Sequence, residues 1–306
     1  MLSDEKFYER AVKFDLLTDL DGKYFTLEEY RTLTESEQTD KDGQLVWLYT
    51  NDKEGQYSAI ERAREKGYSV LVLDGPLDVH AISQLEQKLE KTRFVRVDSD
   101  SIAKLIVKDE AKESHLSAEE QKTLSEIFKA RLPKDEKRNY SVVFEALGAE
   151  ADAVLITQGE FMRRMQEMAR LQPGMNFYGD LPEGYNVVLN TDHALLSRLL
   201  SSEKSEIEPK LQSLRTELAE QTKLVEDARS AQSAKKPEEV TTTEREELSA
   251  LAAKQAEIEG KINAELRAFG DREPLVGQLV DLALLGSGLL TGEALAAFIR
   301  RSQQLL

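Results

Sequence analysis

There is no cysteine in the 306 residues, which excludes disulfides, thiolate metal ligands and a cysteine nucleophile and favours a reducing compartment. The three histidines, His80, His115 and His193, stand too far apart for metal-ligand spacing. Positive charge is in short supply: 41 Lys and Arg face 57 Asp and Glu, a formal net charge of −16. Nucleic acid and anionic membrane are therefore poor partners, because phosphate recognition needs a basic face that only a local patch would provide here. No apolar run reaches the ~18 uncharged residues of a membrane span, and no early one resembles a signal peptide. A cytoplasmic home follows as the expectation. Both phosphate-cradling glycine patterns, G-x-G-x-x-G after a first strand and G-x-x-x-x-G-K-[ST], are missing, so nothing marks a nucleotide site.

What is present is 40% hydrophobic and 32% charged, a composition of helix-rich globular chains long enough for two or three cores. The greasiest stretch lies at the end. Residues 275–285 carry a single charge, Asp281, and repeat apolar side chains both at Leu275, Leu279, Leu282 and at Val276, Val280, Leu284, so the helix is apolar most of the way round. Leu285 and Leu289 flank the Gly286-Ser287-Gly288 break, after which Leu295, Phe298, Ile299 and Leu305 line a second helix opposite Arg300 and Arg301. Roughly six to eight large side chains, at about 1.5–3 kcal/mol each when buried, outweigh an association cost of about 4–15 kcal/mol. The pair reads as the seam of a homodimer, with docking on its own domain as the alternative.

Taken in order, residues 3–17 read as an amphipathic helix with Phe7, Ala11, Phe14 and Leu17 on one face, starting abruptly at Met1 as a fragment would. A turn of helix over 27–33 leads to a polar loop at 35–43. Residues 45–49, 68–73 and 93–97 are short continuous apolar runs, alternating with helical stretches at 57–66 and 77–89. This pattern predicts a small three-layer parallel-sheet subdomain over residues 1–107. Residues 108–116 form a charged linker, and Ser117-x-x-Glu120 has capping-box form for a helix ending before Pro133. Residues 117–306 then read as a mixed α+β domain with strands at 140–147, 153–157 and 185–190 and a helix at 192–200. Residues 203–269 form an antiparallel coiled-coil hairpin inserted in it. Its seams run Ile207, Leu211, Leu214, Leu218, Val225, Ala228 and Leu248, Leu251, Ile258, Ile262, Phe269, with Gln221 and Gln255 filling one slot in each. Thr243-x-x-Glu246 caps the second arm, and each arm is roughly 30–35 Å long.

Between the second and third strands of that domain, residues 159–171 (GEFMRRMQEMARL) set Phe161, Met162, Met165 and Met168 beside Arg163, Arg164, Glu167 and Arg170. Methionines at helical spacing serve as core filler or as an adaptable partner-binding surface.

Three stretches together resemble the ninety-kilodalton heat-shock chaperones in their bacterial form. They are Val46-Trp47-Leu48-Tyr49-Thr50 with 66–73 (KGYSVLVL) and Pro76-Leu77-Asp78; Leu189-Asn190-Thr191-Asp192-His193 after the methionine helix; and 279–285 (LVDLALL) with 298–306 (FIRRSQQLL). The resemblance spans both domains and leaves out the hairpin, marking it as a lineage-specific insertion. It implies a fragment comprising the distal middle domain and the C-terminal dimerisation domain, so that the family's ATP and magnesium site belongs to an N-terminal domain outside this chain. No catalytic, cofactor or metal residue is assigned here. The resemblance makes Phe161, Met162, Met165 and Met168 the client-binding helix and sets His80 where relatives place an aromatic facing the client. It leaves His193 as a turn or helix-cap residue, and the missing acidic pentapeptide at the end fits the bacterial branch.

The expected function is accordingly a stress-response chaperone part that dimerises and binds unfolded or partly folded proteins, without enzymatic activity of its own. The alternative is a scaffold that recruits a co-chaperone or other adaptor along the hairpin. An enzymatic reading rests on Asn51, Asp74 and Asp98 at strand ends, where carboxylates assist metals but are also common turn residues.

Overall fold

The computed structural model describes residues 14–75, 77–108, 114–160, 163–164, 182–236 and 239–303. These form two compact units, one gathering the described parts of 1–115, 133–192 and 281–306, the other those of 116–132 and 193–280.

The first unit is built on strand β3 (Leu45–Thr50), every residue of which is buried. A strand is buried throughout only when both its faces are covered, and the pleat divides its side chains between two cores. Leu45, Trp47 and Tyr49 join Tyr30, Leu71, Ile82, Leu85 and Phe94 on one face, while Val46 and Leu48 meet Ala59, Ile60, Ala63, Val70 and Val95 on the other. β4 (Val70–Val72) and β5 (Thr92–Arg96) flank β3, both parallel to it, giving the order β4-β3-β5. Helices α1 (Leu27–Gln38), α2 (Tyr57–Glu65) and α3 (Asp78–Lys88) cover the sheet. Tyr30, Trp47 and Phe94 pack edge to face with 5.2 Å between successive ring centroids, the arrangement aromatic quadrupoles favour.

Two local expectations fail near the start. Leu16–Thr18 forms strand β1, paired antiparallel with β2 (Tyr24–Thr26), not the end of a helix. The Asp19 carboxylate accepts from the Asp21 and Lys23 amides and Gly22 takes φ 76°, closing a tight turn that a helix could not contain. Residues 3–13 lie outside the described part. Helix α1 runs on through the expected loop to Gln38, because its polar residues have buried tasks: Thr34 Oγ1 accepts from Trp47 Nε1 and Gln38 Nε2 donates to the Val46 carbonyl.

A second sheet, of order β6-β8-β7, contains β6 (Arg138–Glu145), β7 (Val154–Thr157) and β8 (Glu183–Asn190), with β6 parallel and β7 antiparallel to β8. The short helix α4 (Ile102–Leu105) is tied to it by Ser101 and Lys104, which donate to the buried Glu145 carboxylate at 2.6 Å each.

The second unit is helical. α5 (Ala118–Lys129) opens with the expected Ser117–Glu120 capping box, and α6 (Ala194–Glu206) follows His193. α7 (Glu208–Ser233) and α8 (Thr242–Arg272) pair as the hairpin, with 26 and 31 residues, or about 39 and 46 Å at 1.5 Å per residue, longer than expected. The cap of α8 is the Thr241–Glu244 box, two residues before the expected one. The last helices are α9 (Pro274–Gly286), whose residues to Val280 count with the second unit and the rest with the first, and α10 (Gly292–Gln303), which belongs to the first.

Candidate functional site: terminal helices and the seat of the methionine segment

Helices α9 and α10 are covered on one side and bare on another. Val276, Leu279, Val280, Leu284 and Phe298 are buried, whereas Leu282, Leu285 and Ile299 keep 47%, 43% and 46% of their surface exposed. Leu275, Leu289 and Leu295 are half-buried, and Leu305 lies outside the described residues. Arg301 donates to Asp281, joining the two helices. A helix apolar most of the way round thus satisfies one face within a single copy and leaves a leucine and isoleucine strip in water.

Phe161, Met162, Met165 and Met168 lie outside the described residues, but Glu160, Arg163 and Arg164 do not. Both arginines turn inward, which their place beside the methionines in the sequence did not indicate. The Arg163 side chain is 3% exposed; its Nη2 donates to Tyr49 Oη at 2.6 Å and Glu160 Oε1 at 2.7 Å. Arg164 donates Nε to Glu160 Oε1 at 2.6 Å, meets Glu86 with both Nη atoms at 2.7 and 3.2 Å, and also donates to the Phe94 carbonyl. Glu86 Oε1 in turn accepts the Phe94 amide at 2.7 Å. Burial alone would raise the Glu160 carboxyl, but Arg163 and Arg164 together hold it below the usual range, while burial and the Glu160 charge push the Tyr49 phenol up to about 12. His80 lies half-buried on α3, the helix that supplies Glu86.

The crossover from β4 to β5 passes β3, so the carboxyl ends of β3 and β5 flank a switch point where open α/β sheets commonly bind ligands. A cleft there is lined by Asn51, Gln56, Arg62, Arg96, Asp98 and Asp152 among others; Asp74 is not among its lining residues. Its polar groups are engaged with one another: Arg96 grips Asp98, Gln56 bridges Thr50, Asn51 and Asp98, and Arg62 pairs with Asp152. No group of His, Asp or Glu with metal-holding geometry occurs among the described residues.

The 189–193 motif is structural. Asn190 is fully buried, accepting the Leu147 and Asp192 amides and donating to the Gly148 and Ala151 carbonyls, and His193 Nδ1 caps α6 by accepting the Leu195 amide. In the second unit, Glu203 is buried at the junction of α6 and α7 beside Arg215, at 3.7 Å.

No family model matches the chain. Among curated proteins it is 59% identical over 310 residues to a chaperone protein HtpG of Porphyromonas gingivalis, 47% over 306 residues to one of Bacteroides fragilis and 45% over 306 to one of Bacteroides thetaiotaomicron. Each match covers the whole chain, hairpin region included. The chain spans 45% of the length of the relatives it matches, their C-terminal part. Identity of this order over a match that takes in the whole chain shows that it belongs to the HtpG chaperones, as a portion of that longer protein.

Proposed function

We propose that this chain is the dimerising and polypeptide-binding part of an ATP-dependent cytoplasmic chaperone. The observation that carries the dimer is the bare strip of Leu282, Leu285 and Ile299 on the terminal helix pair of a chain so similar to HtpG. Two copies laying these strips together would bury them as a four-helix seam, with the half-buried Leu275, Leu289 and Leu295 at its margins. Phe161, Met162, Met165 and Met168, with His80, would meet non-native polypeptides, for which flexible thioethers suit many apolar shapes. In this reading residues 1–107 are the distal middle domain, 108–116 a linker and 117–306 the dimerisation domain, with ATP and magnesium held by a domain outside this chain. No described helix is long and apolar enough to cross a membrane.

The test of the seam is solution mass by light scattering. Leu282→Ser with Leu285→Ser should halve it at unchanged helix content; an undiminished mass sinks the seam. For client binding, Met162→Ser with Met165→Ser should weaken capture of an unfolded protein at unchanged mass.

A second reading makes the hairpin a docking arm for a co-chaperone, and one observation favours it: Leu224, 51% exposed on α7, stands between the exposed Glu220 and Asp227. Replacing residues 222–254 by a short turn keeps the buried base at Leu211, Leu266 and Phe269. Loss of a partner at unchanged mass and client binding would support the arm.

A further inference from the structure

We infer that Glu160, Arg163 and Arg164 are positioning residues, an ionic anchor that grips Tyr49, Glu86 and the backbone of Phe94 and so sets where the methionine segment is presented to polypeptide clients. The inference rests on the reading of that segment as the client-binding one, and it adds residues that make no client contact.

The geometry is specific. Glu160 Oε1 is shared by three donors, Arg163 Nη2 at 2.7 Å, Arg164 Nε at 2.6 Å and Tyr49 Oη at 3.3 Å. Glu86 and Arg164 clasp Phe94 from both sides of its peptide backbone, the carboxylate taking its N–H and the guanidinium reaching its carbonyl. The Arg163 guanidinium also lies over the Tyr49 ring, 5.9 Å from its centroid. Two cations and two anions balance, so the cluster is neutral and well suited to burial. A forked, two-atom grip on Glu86 is a geometry that arginine provides and lysine does not.

The location gives the cluster its role. Tyr49 is the fifth residue of the six in the fully buried central strand, and Phe94 belongs to the aromatic stack of the same core. Arg163 and Arg164 fall between Met162 and Met165 in the sequence, so the residues held at this core are the covalent neighbours of the methionines.

The test compares Arg164→Ala, Arg164→Lys and Met162→Ser in the full chain. Three readouts are used: backbone hydrogen exchange over residues 158–164, solution mass, and affinity for reduced, carboxymethylated α-lactalbumin labelled for fluorescence anisotropy. The anchor predicts that Arg164→Ala speeds exchange and weakens client binding by about tenfold, with mass unchanged, and that Arg164→Lys restores part of both. Unchanged exchange in Arg164→Ala overturns the anchor. Faster exchange at unaltered client affinity, while Met162→Ser still weakens binding, overturns its positioning role. If Met162→Ser has no effect either, the client assignment of the segment fails and the positioning role with it. Should Arg164→Ala not fold, Tyr49→Phe removes a single hydroxyl from the cluster and is read in the same way.

Discussion

Gly270 lies so close to Ile127 that a β-carbon built on it would stand 2.2 Å from the Ile127 carbonyl oxygen. The base of the hairpin is thereby locked against α5, backbone to backbone, with Leu266 and Phe269 buried on the same face of α8. A side chain at this point meets backbone and not a flexible tip, so α8 has to move. Gly270→Ala is expected to lower stability by about 1–3 kcal/mol. Gly260, ten residues earlier with open space around its would-be β-carbon, is the control. Gly260→Ala should stabilise by about 0.5–1 kcal/mol through helix propensity. Thermal melts followed by circular dichroism distinguish the two signs.

Two buried glutamates of the helical unit should respond to pH in opposite senses. Glu203, 1% exposed, has a carboxyl oxygen without a hydrogen bond among the described residues, and Arg215 at 3.7 Å is its paired cation. Burial raises it above the ordinary 4.5; Arg215 opposes that rise while Glu208 adds to it, with weaker effects of Lys204 and Glu119. A raised acid favours folding in its neutral form, so its contribution is complete below pH 4.5 and is lost as pH climbs through the folded value. For Glu126 burial also pulls upward, but Lys129 and Arg267 outweigh it and hold the carboxyl below 4.5. Its contribution is present above 4.5 and lost as pH falls. At pH 7, Glu203→Gln should therefore raise the melting temperature and Glu126→Gln lower it. Melts between pH 4 and 8 check both, and a Glu203→Gln protein less stable than the parent at pH 7 refutes the account of Glu203.

The parallel sheet was legible because a strand covered on both faces has to be apolar throughout, as at residues 45–49, and the hairpin because its seams keep a constant period. Polar residues with buried duties were not. Thr34 fell just past the expected helix end and Gln38 in the expected loop, and Arg163 and Arg164 stood beside the methionines with no partner assigned. Their partners, Trp47, Val46, Tyr49 and Glu86, stand 8 to 114 residues away in sequence. Short strands such as β1 escaped because three residues show no period, only a turn after them. The bare strip on α9 was legible as excess apolar character, but which leucines form it depends on which face the rest of the fold covers.

The helix cap gives a sharper test of such local reading. Thr241 Oγ1 accepts the Glu244 amide at 3.2 Å, and the Glu244 carboxylate accepts the Thr241 amide at 2.9 Å. Lys235 and these bonds pull Glu244 down to about 2, so its contribution persists until pH falls well below 4.5. Thr241→Ala should destabilise the tip of the hairpin by about 1 kcal/mol, whereas Thr243→Ala, inside the first turn, should do little. Hydrogen exchange of the amides at 242–246 reports the difference, and equal effects of the two substitutions would return the cap to the later pair.

The hairpin seam is interrupted where an apolar residue would be expected on each arm. Gln221, 3% exposed, donates Nε2 to the Leu251 carbonyl at 2.9 Å, and Gln255 donates to Thr222 Oγ1 at 3.0 Å. A buried amide gains little net stability from its bond, because it gives up water to form it. It does penalise any other alignment, since sliding one arm by a heptad would leave the amide unpaired against leucine or isoleucine. Gln221→Leu together with Gln255→Leu should therefore raise the melting temperature while broadening the distribution of distances between spin labels at residues 229 and 247. Gln221→Ala, which only empties space, should lower stability by about 1–3 kcal/mol and leave the distances narrow. A double leucine variant that is both more stable and as narrowly distributed as the parent would show that Leu211, Val225, Ile258 and Ile262 set the register without help from the glutamines.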